Sequence, residues 1–291
     1  MWIIMAALSA FFAGITAILA KCGIQKTDSD LATALRTIVV LLFAWGMVFL
    51  AGSQNTLLQI KPYSLLFLIL SGLATGASWL CYFKSLSVGE VTKVAAIDKS
   101  STVFSIVIAM ICFSETDHIA IKVVGIALLS VGIFVIAKPK SKVTSNDSNN
   151  TYIAWAVASS IFAALTSVLA KVGIHGVESN LGTAIRTGVV LIMAWAMVFL
   201  QGKQKQLSQL SKKELKFIIL SGVTTGVSWL CYYNAIQNGV VSVVVPIDKM
   251  SILITVLFSH LFLREKVEKK TAFGLIFMLT GTLIMTITES I

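Results

Sequence analysis

Residues 31–50, LATALRTIVVLLFAWGMVFL, return 150 positions later as LGTAIRTGVVLIMAWAMVFL, and SGLATGASWLCYF (71–83) returns as SGVTTGVSWLCYY (221–233). The register holds through Glu115 and Glu265, after which a one-residue deletion aligns Gly125 with Gly274. A period of this length makes each half a structural unit. What fills each half is apolar: 57% of the 291 residues are hydrophobic, 12% are charged, and the mean hydropathy is +0.90. Such a chain is dissolved in lipid. A spanning helix needs about 20 mostly apolar residues, and ten stretches qualify: 2–20, 31–51, 64–86, 90–112, 119–137, 152–170, 181–201, 215–236, 240–263 and 270–288. Backbone polar groups in hydrocarbon must be satisfied internally, so these stretches are helices. The sequence predicts an all-α integral membrane protein of ten transmembrane helices. One five-helix repeat covers 1–137, a polar, turn-rich linker 138–151, and the second repeat 152–291.

Five is odd, so the second repeat enters the membrane from the face opposite to the first, and the repeats are inverted. Let face A be the one carrying the N-terminus and face B the other. Sixteen basic residues fall on face B, among them Lys26, Lys84, Lys93, Lys203 and Lys212, and only Lys61, Lys122 and Lys171 fall on face A. The halves differ where their orientation requires it. Lys26, Lys84 and Lys93 become Gly176, Asn234 and Val243, while the loop with the single Lys61 becomes QGKQKQLSQLSKKELK (201–216). The positive-inside rule makes face B cytoplasmic, with both termini extracytoplasmic and the protein multi-pass in the cell (inner) membrane. The net charge of +10 is then met by anionic headgroups and needs no nucleic acid. The N-terminus MWIIMAALSA lacks the basic region of a cleaved signal peptide and reads as the first span.

Two apolar runs carry an acid beside a base: AAIDKSST (95–102) with Asp98 and Lys99, and VPIDKMSI (245–252) with Asp248 and Lys249. At about 1.5 Å per residue, Asp98 lies about 12 Å into a helix that starts near residue 90, towards mid-membrane. Charges at that depth face a bundle interior or a watery cavity and take partners there. Neighbours on a helix point about 100° apart, so each pair seeks partners on other helices. The expected partners of the aspartates are Arg36 and Arg186, in bidentate pairs. Pro246 allows two further arrangements: a helix that opens at the proline with Asp248 near the headgroups and Lys249 snorkelling, or a helix broken near it whose free amides line the cavity. Thr75, Trp79 and Tyr82, and likewise Thr225, Trp229 and Tyr232, fall on one helical stripe each and make a second cavity wall that could stack on a ring or hold an ammonium. The competing reading is packing against Gly72, Gly76, Gly222 and Gly226. Lys21 and Lys171 read as interfacial anchors, and Glu115 and Glu265 as capping or loop-fixing groups. Gly125 and Gly132, with Gly274 and Gly281, mark close helix contact or dimerisation, leaving monomer and homodimer open.

The blocks LAKCGI, LATALRT, GLATGASWLCYF, AAIDKSS and SETDHIAIKVVGIALL, with LREKVEKKTAFGLIF in the second half, resemble in their order the EamA repeat of the drug/metabolite transporter superfamily, and are especially similar to single-repeat EamA proteins fused in tandem. The resemblance implies a two-repeat transporter with its substrate cavity between the halves. A proline common in the ninth helix of that family is absent, Ile252 standing at about that depth.

An enzyme finds no support. His118, His175 and His260 share no metal-ligand spacing with each other or with Cys22, Cys81, Cys112 and Cys231, and no nucleotide-binding glycine loop occurs, so neither metal nor cofactor is expected. The expected function is a secondary carrier for a small polar metabolite, an amino acid or related zwitterion, working by alternating access, with proton-coupled export implied by the resemblance. Its partners are the small-molecule substrate, membrane lipid and a coupling proton. The alternatives are a carrier for a sugar, nucleotide-linked sugar or lipid-linked headgroup, and a scaffold or sensor whose buried charges only lock helices together.

Overall fold

The computed structural model of the chain describes residues 1–23, 27–88, 94, 97, 98, 100–137, 151–263 and 269–290. Lys99, Glu265 and most of the expected linker lie outside the described residues. The first half folds as α1 (Trp2–Gly23), α2 (Ser29–Leu50), α3 (Pro62–Val88), α4 (Ser101–Cys112) and α5 (Ile119–Ala137). The second folds as α6 (Thr151–Gly173), α7 (Ser179–Leu200), α8 (Lys212–Asn238), α9a (Val241–Lys249), α9b (Ser251–Leu263) and α10 (Lys269–Ser290). Among the described residues nine helical spans are long and apolar enough to cross a membrane, α9a running into α9b as one of them, and α4 is a shorter apolar helix. The chain is an all-α membrane protein of ten helices in two inverted repeats.

Local signals set the helix ends. Gly52 and Gly202, equivalent in the two repeats, follow α2 and α7 with φ of 68° and 69°, the left-handed conformation that a glycine adopts without steric cost. Glu178 accepts hydrogen bonds from the Asn180 and Leu181 N–H groups at the start of α7. Ser211 and Glu214 close a reciprocal capping box on α8. On face B, Lys203 donates to Asp28 at 3.0 Å and also to Asp30. Burial lowers the Lys203 pKa, but the hydrogen bonds to Asp30 and Asp28 outweigh it and hold the ammonium above the ordinary lysine value. A raised folded-state pKa adds stability that is fully present below the unfolded value, so this tie persists through neutral pH and is lost only in strong alkali.

The main packing runs between the repeats: α1 lies on α8, α3 on α6, α2 on α7 and α5 on α10. Exchanging the repeats maps the first pair onto the second and the other two onto themselves, the contact pattern of a two-fold axis between inverted halves. Small residues permit it. A Cβ on Gly72 would lie 2.7 Å from the Val189 Cβ, and one on Gly222 would lie 2.6 Å from that of Val39. The stripes of α5 and α10 serve one chain: a Cβ on Gly132 would stand 2.6 Å from the Gly274 carbonyl oxygen, and one on Gly281 would stand 2.8 Å from that of Gly125. Gly132→Val is expected to lower stability by about 1–3 kcal/mol through overpacking. Thermal melting of the purified protein checks it, and an unchanged midpoint would show that α5 and α10 can separate freely.

The ninth span corrects the reading in which Pro246 opens the helix near the headgroups, and it is broken about one turn beyond the proline. The proline lies inside α9a and does not open the helix, and Val241–Ile247 are all buried. The break comes at Met250, whose N–H donates to the Ile247 carbonyl at 3.0 Å. The first repeat breaks at the equivalent Ser100, donating to Ile97 at 2.9 Å. Burial of the apolar run by the opposite half decides the matter, since a headgroup location would have exposed five valines.

Candidate functional site

Each aspartate stands just before its helix break, on a face that meets the opposite repeat. Ser9 of α1 donates to Asp248 Oδ1 at 2.6 Å, and Ser228 of α8 donates to the Ser9 carbonyl at 3.0 Å with its hydroxyl 3.3 Å from that of Ser9. The equivalent Ser159 of α6 has the Ser78 carbonyl at 3.0 Å and Asp98 Oδ1 at 3.3 Å as acceptors for its one proton, and its hydroxyl lies 3.2 Å from that of Ser78 of α3. A carboxylate, a serine and a second serine thus recur at corresponding positions in the two repeats. The ion pairs among the described residues, Lys122–Glu289 and Lys203 with Asp28 and Asp30, lie elsewhere. The expected Arg–Asp pairs are therefore corrected. The aspartates are held by hydroxyls, and among the described residues no basic group pairs with either.

Arg186 is directed at α3. Its Nε donates to Ser71 Oγ at 3.2 Å and its Nη2 to Thr75 Oγ1 at 2.9 Å. The guanidinium carbon lies 4.3 Å from the Tyr233 ring centroid and 5.5 Å from that of Trp229, within cation–π range. The side chain is 1% exposed, and its Nη1 has no partner among the described residues. A buried guanidinium with one unused donor arm and no counter-charge among the described residues is costly to hold in place.

Two adjoining cavities collect these groups. One of about 240 Å³ is lined by Arg186, Asp248, Thr75, Trp79, Trp229 and Tyr232, among others. The second, of about 330 Å³, is lined by Arg36, Asp98, Thr33, Tyr82 and Ser101. Ser78, Trp79, Ala163 and Lys249 belong to both walls, so the cavities meet where the halves meet. Of the residues expected from sequence, ten come together here. Thr225 does not: it is buried and donates to the Ser221 carbonyl at 2.6 Å. Lys99 lies outside the described residues. The glycines once paired with the aromatic stripe in the packing reading meet other residues, Gly76 against Met193 and Gly226 against Phe43.

Sequence reasoning missed Ser9, Ser159, Ser78, Ser228, Ser71 and Tyr233. Its search was for ionisable groups, whereas the signal for the serines was repeat identity: Ser9 matches Ser159 and Ser78 matches Ser228 at the same offset of 150. Lys171 is also corrected from headgroup anchor to helix clamp. It donates to the Gln237 and Gly239 carbonyls at 3.3 and 2.6 Å, while Glu115 accepts the Val241 and Ser242 N–H groups, each at 2.8 Å. The Glu115 bonds cross between the repeats at face A, whereas those of Lys171 stay within the second repeat.

The comparisons agree with this architecture. The model of the EamA-like transporter family matches residues 1–138 and again 150–287. A protein of Sinorhizobium sp. described as an uncharacterized transporter in the cobO 3′ region is 39% identical over 133 residues, 94% of that relative and 46% of this chain. An uncharacterized protein of Methanocaldococcus jannaschii is 30% identical over 87 residues, 64% of its length and 30% of this chain. A crystal structure at 14% identity superposes with a TM-score of 0.76 over 99% of this chain and 97% of its own, which shows a shared fold. With the family model matched in both inverted repeats, the chain belongs to the EamA-like transporter family.

Proposed function

We propose that the protein is a secondary transporter that moves a small zwitterion, an amino acid or a relative, by rocking its inverted halves about the shared cavities. The observation that carries this is the pair of aspartates held across the repeat interface by serine hydroxyls, with no basic partner among the described residues. A carboxylate so held has a place for a cation, and an ammonium or a proton would compete for it. Arg36 and Arg186 add the opposite charge in the same walls. Competition of substrate and proton for one carboxylate would couple the two flows; export is the direction proposed, with face B cytoplasmic on the lysine pattern. Trp79, common to both cavities, favours a sugar as second reading, since an indole face stacks on a pyranose without needing charge.

The test is thermal stability of the purified protein at several pH values against amino acids, polyamines, quaternary amines and sugars, beside Asp98→Asn and Asp248→Asn. A ligand present at 100 times its Kd adds about 2.7 kcal/mol to native stability. We expect an amino acid to raise the melting temperature of the wild type, and the variants to remain folded but lose the shift. If only sugars shift the wild type, the second reading takes over. If nothing shifts it and both variants melt early, the aspartates are structural.

A further inference from the structure

The two repeat-equivalent arginines are in different states, although their backbones are placed alike. A Cβ on Gly72 would lie 3.0 Å from the Arg186 carbonyl oxygen, and a Cβ on Gly222 would lie 3.1 Å from that of Arg36, so α3 approaches α7 as closely as α8 approaches α2. The side chains diverge. Arg186 is docked on Ser71 and Thr75 and almost fully buried. Arg36 is half-buried, lines the cavity beside Asp98, and makes no hydrogen bond to any described residue. Yet its dock exists. Ser221 and Thr225, the equivalents of Ser71 and Thr75, are buried on α8, where their hydroxyls turn back to the Ile218 and Ser221 carbonyls at 2.7 and 2.6 Å.

A second asymmetry accompanies the first. Asp248 is held by Ser9 at 2.6 Å, whereas Asp98, beside the undocked arginine, is held by Ser159 at 3.3 Å. The free guanidinium and the looser carboxylate therefore share one cavity. The docked arginine and the tightly held carboxylate share the other.

The geometry points to an exchange. Arg186 docks on Ser71 and Thr75 while face A is closed and Arg36 faces the cavity. When the halves rock and face A opens, Arg36 docks on Ser221 and Thr225, and Arg186 is released to take its place. One arginine at a time then meets the anionic group of the cargo, next to the looser aspartate. This rests on the transporter reading, and it gives the inverted repeat a local switch: identical docks, occupied alternately.

Hydrogen–deuterium exchange of the substrate-free protein tests it, read on a peptide containing Val241 and Ser242, whose amides are bonded across the repeats to Glu115 and are expected to part from it when face A opens. Ser71→Ala with Thr75→Val removes the occupied dock and is expected to speed exchange there about tenfold or more, because a charge-assisted hydrogen bond is worth about 1.5–3 kcal/mol. Ser221→Ala with Thr225→Val removes the vacant dock and is expected to leave exchange as slow as in the wild type or slower. If a double variant does not accumulate, Thr75→Val and Thr225→Val alone carry the same opposed expectation at smaller amplitude. Exchange that rises in both, or in neither, overturns the proposal. The readout needs no ligand, so it can fail while the ligand-stabilisation test succeeds, and the reverse.

Discussion

Glu115→Ala is expected to lower the stability of the protein by about 2–6 kcal/mol, from two buried donors left without acceptors at about 1–3 kcal/mol each. The ninth span begins at Val241 after Val240, whose side chain cannot cap it. The Val241 and Ser242 N–H groups at this end are fully buried, with water excluded from both residues. The Glu115 carboxylate supplies both acceptors from the other repeat, and its charge complements the positive end of the helix. Gly239, immediately before, admits no side chain, because a Cβ there would sit 2.6 Å from the Trp2 ring. Lys171 secures the preceding helix end through the Gly239 and Gln237 carbonyls, and the Gln237 amide donates back to Ile174 and Val177 at 2.7 and 2.6 Å. Melting of Glu115→Ala, with exchange at Val241 and Ser242, decides the matter. Glu115→Gln, which keeps one acceptor oxygen, should fall between the alanine variant and the wild type. An alanine variant as stable as the wild type would show that the α8–α9 turn is held by packing alone.

The parts of this fold legible in the sequence are those that the membrane dictates segment by segment. Ten apolar runs, an odd number per repeat and a lysine pattern that changes with orientation were enough for spans and inversion, because hydrocarbon leaves the backbone little choice. The site was legible in its ionisable members, Asp98, Asp248, Arg36 and Arg186, since charge at that depth is rare. Their partners were not, because each partnership crosses between repeats: Ser9 reaches Asp248 over 239 positions. A serine has no distinctive cost in a helix, so it stands out only when the two repeats are read against each other. Arg186 misled the reading because an aspartate is the usual partner of an arginine, whereas its place on α7 faces the hydroxyls of α3. Pro246 misled only the reading in which it opens the helix, because local propensity yielded to burial of the valines around it.

Arg186→Met is expected to raise the melting temperature while reducing flux at least about tenfold, two effects that a structural lock could not combine. Breaking a buried ion pair strands a charge, but Arg186 has no carboxylate partner among the described residues to strand. Ser71 and Thr75 remain satisfied without it: Ser71 Oγ donates to the Thr166 carbonyl at 2.7 Å and Thr75 Oγ1 to the Ser71 carbonyl at 3.0 Å. Methionine fills much of the same volume, and its sulfur packs well against the Trp229 and Tyr233 rings that now face the guanidinium. Replacing buried ionic groups by apolar ones of similar size is often neutral or stabilising, by about 1–4 kcal/mol. What the variant loses is the donor that an anionic group on the cargo would meet in the opposite state, worth about 1.5–3 kcal/mol, or roughly tenfold to a hundredfold in affinity. Arg36→Met, at a half-buried position lining a cavity, should reduce flux as much and move the melting temperature less. Flux into proteoliposomes and melting of the same preparations measure both effects. An Arg186→Met protein that melts early would instead make the guanidinium a staple between α7 and α3, and its burial the cost of holding two helices together.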